Sequence, residues 1–91
     1  MKYVQIVVHG KVQGVGFRFF TQQTAIDHHV FGWVRNQDDG SVLINASADD
    51  ENMSAFLSQI KQGPSRFAKV HEIDVTNLKG KPAFDSFEIK G

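Results

Sequence analysis

Gly10-Lys11-Val12-Gln13-Gly14-Val15-Gly16-Phe17-Arg18 sets three glycines and an arginine between an alternating apolar stretch and a segment free of glycine and proline. Upstream, Val4, Ile6 and Val8 alternate with Tyr3, Gln5 and Val7, which reads as a strand with one strongly apolar face. Downstream, residues 18–29 lack glycine and proline, and Phe19, Ile26 and Val30, with Phe20 and Ala25 nearby, predict a helix with that apolar side. Glycines in such a connection reach dihedrals closed to other residues and leave no side chain between the backbone N–H groups and an oxyanion. A helix starting near Arg18 adds its unpaired first-turn N–H groups and the positive end of its dipole. Arg18 adds a permanent charge in a planar fork able to grip two phosphate oxygens. On spacing alone the segment serves equally as a phosphate cradle or as an ordinary strand-to-helix turn with an exposed arginine.

Beyond the helix, Phe31-Gly32-Trp33-Val34-Arg35-Asn36 reads as a second strand, with Phe31 and Trp33 on one face and Val34 and Asn36 on the other. Asp39-Gly40 turns the chain, and Val42, Ile44, Ala46 and Ala48, alternating with Leu43, Asn45 and Ser47, give a third strand hairpinned to the second. Asp49 or Asp50 caps a second helix whose Met53, Phe56, Leu57 and Ile60 fall at i, i+3, i+4 and i+7, and Gly63-Pro64 ends it. Ala68 to Val75 reads as a strand whose apolar phase slips between Val70 and Ile73, which predicts a bulge near His71 and Glu72. A loop containing Gly80 and Pro82 leads to a short last strand around Phe87 and Ile89. The order is βαββαβ plus a C-terminal strand, an α/β (α+β) chain. It predicts a ferredoxin-like sandwich: two helices on one face of a mixed, mostly antiparallel five-stranded sheet.

Ninety-one residues suit one domain, expected over 1–91, that buries only roughly 60–65% of its unfolded surface. Ten basic residues balance ten acidic ones, so no long-range field favours nucleic acid or an anionic membrane, and any anion is caught locally. Cysteine is absent, which removes disulfides, thiolate catalysis and thiolate-held metal together. Met1-Lys2-Tyr3 leads straight into the first strand pattern, and no run approaches the ~18 apolar residues of a membrane span. A cytoplasmic protein without a membrane partner, and a monomer, is the expectation.

Two segments together carry a family resemblance: Gly10 to Arg18, and Gly32-Trp33-Val34-Arg35-Asn36-Gln37-Asp38-Asp39-Gly40-Ser41-Val42. They resemble the two signature motifs of the acylphosphatases, with matching length, element order and motif spacing over nearly the whole chain. The resemblance implies that Arg18 binds the phosphate of an acyl phosphate together with the backbone N–H groups of Gln13, Gly14, Val15, Gly16, Phe17 and Arg18. It implies that Asn36 positions the attacking water. The implied reaction is hydrolysis of a carboxyl–phosphate anhydride to a carboxylate and inorganic phosphate, without metal, cofactor or phosphoenzyme. Inorganic phosphate would then be both product and competing ligand. One departure is Ala48, where the family commonly has glycine, and it bears on the turn into the second helix.

Other readings of the same residues are weaker. His9, His28, His29 and His71 invite a metal, but His28 and His29 diverge on a helix and no carboxylate cluster is expected to join the histidines. Asp38-Asp39 reads as a hairpin turn in preference to a carboxylate dyad. Gly14 to Phe20 faintly resembles the aromatic motif of RNA-recognition domains, yet it follows the first strand, not the third, and there is no basic surplus. A non-enzymatic binding module, for RNA or a small ligand, is the alternative function. An acylphosphatase-like part of a larger carbamoyl-transfer protein is a further one, and the length favours a free-standing enzyme.

Overall fold

Val4, Ile6 and Val8 are almost wholly buried while Tyr3, Gln5 and Val7 between them are half-buried, so the first strand, β1 (Lys2–Lys11), is two-faced as its alternation predicts. The computed structural model describes residues 1–64 and 67–91. In these, β1 is followed by α1 (Phe17–Asp27), β2 (Phe31–Asn36), β3 (Val42–Ala48), α2 (Asp50–Gln62), β4 (Lys69–Asn77) and β5 (Phe87–Lys90). The sheet order is β4-β1-β3-β2-β5. β1 runs antiparallel to β3 and β4, β2 runs antiparallel to β3, and β5 runs parallel to β2. This is the predicted architecture, with α1 and α2 covering the face that carries Val4, Ile6, Val8, Val34, Ile44, Ala46 and Phe87.

The second helix obeys its sequence closely. Asp49 is the N-cap, its carboxylate accepting a hydrogen bond from Asn52 N at 2.8 Å, and Met53, Phe56 and Ile60 are buried with Leu57 half-buried. Ala48 ends β3 fully buried opposite Lys2, and the cap follows directly, so this turn forms without glycine.

The first helix corrects its expected phase. Phe19 and Ile26 are 63% and 53% exposed, whereas Phe17, Thr21, Thr24 and Ala25 are buried. The helix starts at Phe17, and that buried set lies at i, i+4, i+7 and i+8 from it, on the side opposite Phe19 and Ile26. Two threonines hold core positions because their hydroxyls donate to carbonyls one turn back, Thr21 to Phe17 O at 2.9 Å and Thr24 to Phe20 O at 2.8 Å. Composition alone ranks a threonine below a phenylalanine for burial, which is why the stripe was expected on the wrong side.

β4 is an edge strand with exposed residues on both faces, and it carries the predicted bulge: His9 pairs with Glu72 and Gly10 with Val70, leaving His71 unopposed. At the other side of the sheet Gly32 is indispensable. Its φ is +147°, and a Cβ there would lie 1.9 Å from Asn45 O, a backbone atom of the neighbouring strand.

Two stability measurements check this packing. Phe56→Ala is expected to lose about 3–5 kcal/mol in a denaturant titration, the usual cost of emptying a large core site; a loss below about 1 kcal/mol would mean that α2 does not press this side chain onto the sheet. Gly32→Ala, although it adds only a methyl group, should cost at least about 2 kcal/mol through strained dihedrals and displacement of β3.

Candidate active site

Val42, the first residue of β3, is the register partner of both Val8 in β1 and Asn36 in β2. That shared partner brings the exit of β1 and the end of β2 to the same end of the sheet. The chain leaves β1 through Val12 to Gly16 and enters α1 with Gly16 as N-cap, at φ 79° and ψ 18°, without a side-chain cap and without acidic residues in the first turn. Gly14 has φ +74°, and a Cβ at either glycine would meet nothing within 4 Å. What these positions require is left-handed backbone, not space. The first-turn N–H groups of α1 therefore face the loop side free of any competing side-chain acceptor.

Gly14, Gly16, Phe17, Arg18 and Asn36 line one cleft, together with Val12, Phe19 and Ile89. Arg18 is half-buried, and its Nη1 donates to Gly91 O at 2.6 Å, which holds the guanidinium at the mouth of the cleft. Asn36 lies on the helix-covered face of β2, two residues beyond buried Val34. Its Oδ1 is buried and accepts no hydrogen bond from any described residue. Buried polar atoms are rarely left so, and Asn36 lines the same cleft as the anion loop. The cleft thus offers a positive fork, a glycine-lined backbone and the Asn36 amide.

Of the residues expected from sequence, Gln13 and Val15 turn their side chains away from the cleft. Val15 packs against the hydrophobic core, and the Gln13 side chain turns to the β2–β3 hairpin, where its Nε2 donates to Gln37 O at 2.7 Å and to Ser41 O at 2.8 Å. Phe19, Val12 and Ile89 were missed as lining residues. Sequence spacing puts Phe19 on the apolar side of the expected helix, and Ile89 comes from β5, a strand whose place beside β2 no local pattern reveals.

The hairpin turn carries no acid–base pair. Asp39 accepts hydrogen bonds from Ser41 Oγ at 2.6 Å and Ser41 N at 3.0 Å. The hydroxyl bond is the main cause holding the Asp39 carboxyl below the usual carboxylate range, with the backbone bond adding to it. Asp39 is a turn residue kept ionised, as its place before Gly40 predicts. Trp33 lies on the uncovered face, where Arg35 and Lys90 stack over its ring at 5.4 and 5.0 Å from the centroid.

The expectation that no carboxylates join the histidines fails at one place. His9, Glu72 and Asp74 gather on the uncovered face, with His9 Nε2 3.1 Å from Asp74 Oδ2. They meet only because β1 pairs with β4, a contact between segments more than sixty residues apart. None of the three lines the cleft. Among the described residues, no helix is long and apolar enough to cross a membrane.

Comparison with known proteins agrees with this geometry. The acylphosphatase family model matches residues 4–89. An acylphosphatase of Oceanobacillus iheyensis is 48% identical over 90 residues, covering 99% of each chain. The crystal structure of acylphosphatase from Bacillus subtilis superposes with a TM-score of 0.95 at 38% identity over the full length of both chains. Full-length HypF, solved in a phosphate- and nucleotide-bound form, matches at 29% identity and a TM-score of 0.85, but over only 12% of its own chain. Nothing in these likenesses favours an RNA-binding or carrier module. A glycine loop and Arg18 facing an amide across β3, in a chain of this length and likeness, belong to the acylphosphatase family, hydrolases that act on acid anhydrides.

Proposed function

We propose that the loop N–H groups from Gln13 to Arg18 and the Arg18 guanidinium hold the phosphate of an acyl phosphate, while Asn36 orients the water that attacks it. The observation that carries this division of labour is the placing of Asn36 in the same cleft as Gly14, Gly16 and Arg18. In the reaction the water oxygen bonds to phosphorus, the P–O bond to the acyl group breaks, and the carboxylate leaves with that electron pair. The water protons pass to the phosphate and solvent. Phosphoryl transfer asks a protein mainly to align the nucleophile and to stabilise charge on the equatorial oxygens. A carboxylate needs no general acid to leave, and an amide hydrogen-bonded to water fixes its direction while adding little as a base.

Electrostatics assigns the larger share to Arg18. Preorganised donors aimed at developing charge are each worth about 2.7–4 kcal/mol in the transition state, and a guanidinium adds a full charge to its hydrogen bonds. The acyl group meets the apolar rim of Phe19 and Ile89, so the phosphate end dominates recognition. The 91 residues act as one domain. A net charge of zero and the absence of cysteine suit a monomer working in the cytoplasm, which sedimentation and cell fractionation test.

The expected activity is hydrolysis of acyl phosphates, unaffected by a chelator, with little turnover of phosphate monoesters. Well-folded protein that hydrolyses no acyl phosphate, or that a chelator silences, would sink the assignment. Inorganic phosphate should inhibit competitively, because the same cradle holds substrate and product.

Single substitutions separate the two roles. Arg18→Ala should weaken phosphate inhibition and lower kcat/KM by about a thousandfold or more, and Arg18→Lys should restore little, since a point charge lacks the fork. Asn36→Ala should cut kcat by about a hundredfold or more while leaving phosphate inhibition near the parental level. Parental turnover by Asn36→Ala, or phosphate inhibition lost to the same degree as in Arg18→Ala, would end the water-orienting role.

A further inference from the structure

We infer that the Gln13 side chain is a positioning residue: a clamp that sets Asn36 against the anion loop by holding the neck of the β2–β3 hairpin. Its single Nε2 atom bridges two carbonyls, Gln37 O at 2.7 Å and Ser41 O at 2.8 Å. Those two oxygens are the ones that close the hairpin. Ser41 O also accepts from Gln37 N at 2.9 Å, and Gln37 O accepts from Gly40 N at 3.2 Å. Gln37 N lies in the peptide that joins Asn36 to Gln37 and donates to the same Ser41 O that Gln13 grips, so holding Ser41 O holds the backbone from which the Asn36 side chain springs.

The chemistry suits a primary amide. Carbonyl oxygens only accept, and an amide nitrogen carries two hydrogens at one atom, so both donors are used and neither competes for substrate. The bonds lie in a half-buried setting, where an unmade hydrogen bond is costly. Among the described residues, these two are the only side-chain hydrogen bonds joining the loop after β1 to the hairpin, across 24 and 28 residues of chain. Asn36 itself offers no hydrogen bond through Oδ1 to hold it in place. Its aim is therefore set by the backbone beneath it and by the clamp that holds that backbone. A displacement of about 1 Å in a reacting group can cost about a hundredfold in rate, so a clamp of this kind acts on kcat.

This inference rests on the water-orienting role of Asn36, and a double-mutant cycle with phosphate inhibition keeps the two apart. Gln13→Met keeps the length of the side chain and removes both donors. On protein shown to be folded by circular dichroism, it should lower kcat about tenfold or more while weakening phosphate inhibition far less than Arg18→Ala does, since the Gln13 backbone N–H is kept. In an Asn36→Ala background the same change should lower kcat no further, because the group it positions is gone. Parental kcat in Gln13→Met, or an equal loss in both backgrounds, overturns the clamp. Parental kcat in Asn36→Ala overturns the water-orienting role, and the clamp with it. Gln13→Glu gives a second readout should the methionine variant fail to fold. Its carboxylate would face two carbonyls with no hydrogen, and protonation would return one donor. The ratio of variant to parental kcat should rise as pH falls from about 8 to about 5, while groups common to both proteins cancel. Asp39 adds nothing to that rise, since Ser41 keeps it ionised to lower pH. A flat ratio would overturn the clamp.

Discussion

The antiparallel pairing of β3 with both β1 and β2 is the constraint on which the remainder of this molecule depends. Val42 faces Val8 on one side and Asn36 on the other, so one residue of the central strand sets the distance between the anion loop and the amide. Side chains alternate along a strand with a period of two, and a slip of one residue would turn Asn36 to the face that carries Trp33, Arg35 and Lys90. The apolar side of β3 prevents that slip. Val42, Ile44, Ala46 and Ala48 must all remain under the helices, and moving any of them into water forfeits about 25 cal/mol per Å² of apolar area. Core burial is thus what holds the site in register.

Around that frame the site is electrostatically local. The chain as a whole is neutral, so attraction of a phosphate falls to Arg18, to loop N–H groups and to the uncapped start of α1. Each is positioned by a specific contact or turn. Gly91 O holds the Arg18 fork, Gly16 turns the chain into the helix through a left-handed cap, and Gln13 ties the loop to the hairpin. A cradle made of backbone needs such ties because loops are the parts of a protein most ready to move. Here they are polar contacts at the margin of the core, and the apolar side chains of Val15 and Phe17 anchor the same loop from below.

The elements and their order were legible in the linear chain, and so were the loop, Arg18, Asn36, the hairpin turn, the cap at Asp49 and the bulge beside His71. These features are local: alternation, helical spacing, turn chemistry and capping act between residues a few positions apart, and each leaves its mark in the order of residue types. The phase of α1 was not legible, because two buried threonines satisfy their hydroxyls within the helix and leave Phe19 and Ile26 outside. The Gln13 clamp, the contribution of Ile89 to the cleft and the meeting of His9 with Glu72 and Asp74 were equally invisible. Each depends on which strands lie side by side. By itself, then, the sequence determined a βαββαβ chain with a glycine loop, an arginine and a strand-end amide, since those follow from short-range sterics and hydrogen bonding. Only the tertiary structure decided that loop and amide share one cleft and what holds them there, because strand order and register are settled by burying all the apolar faces at once, a cost and gain spread over the whole chain.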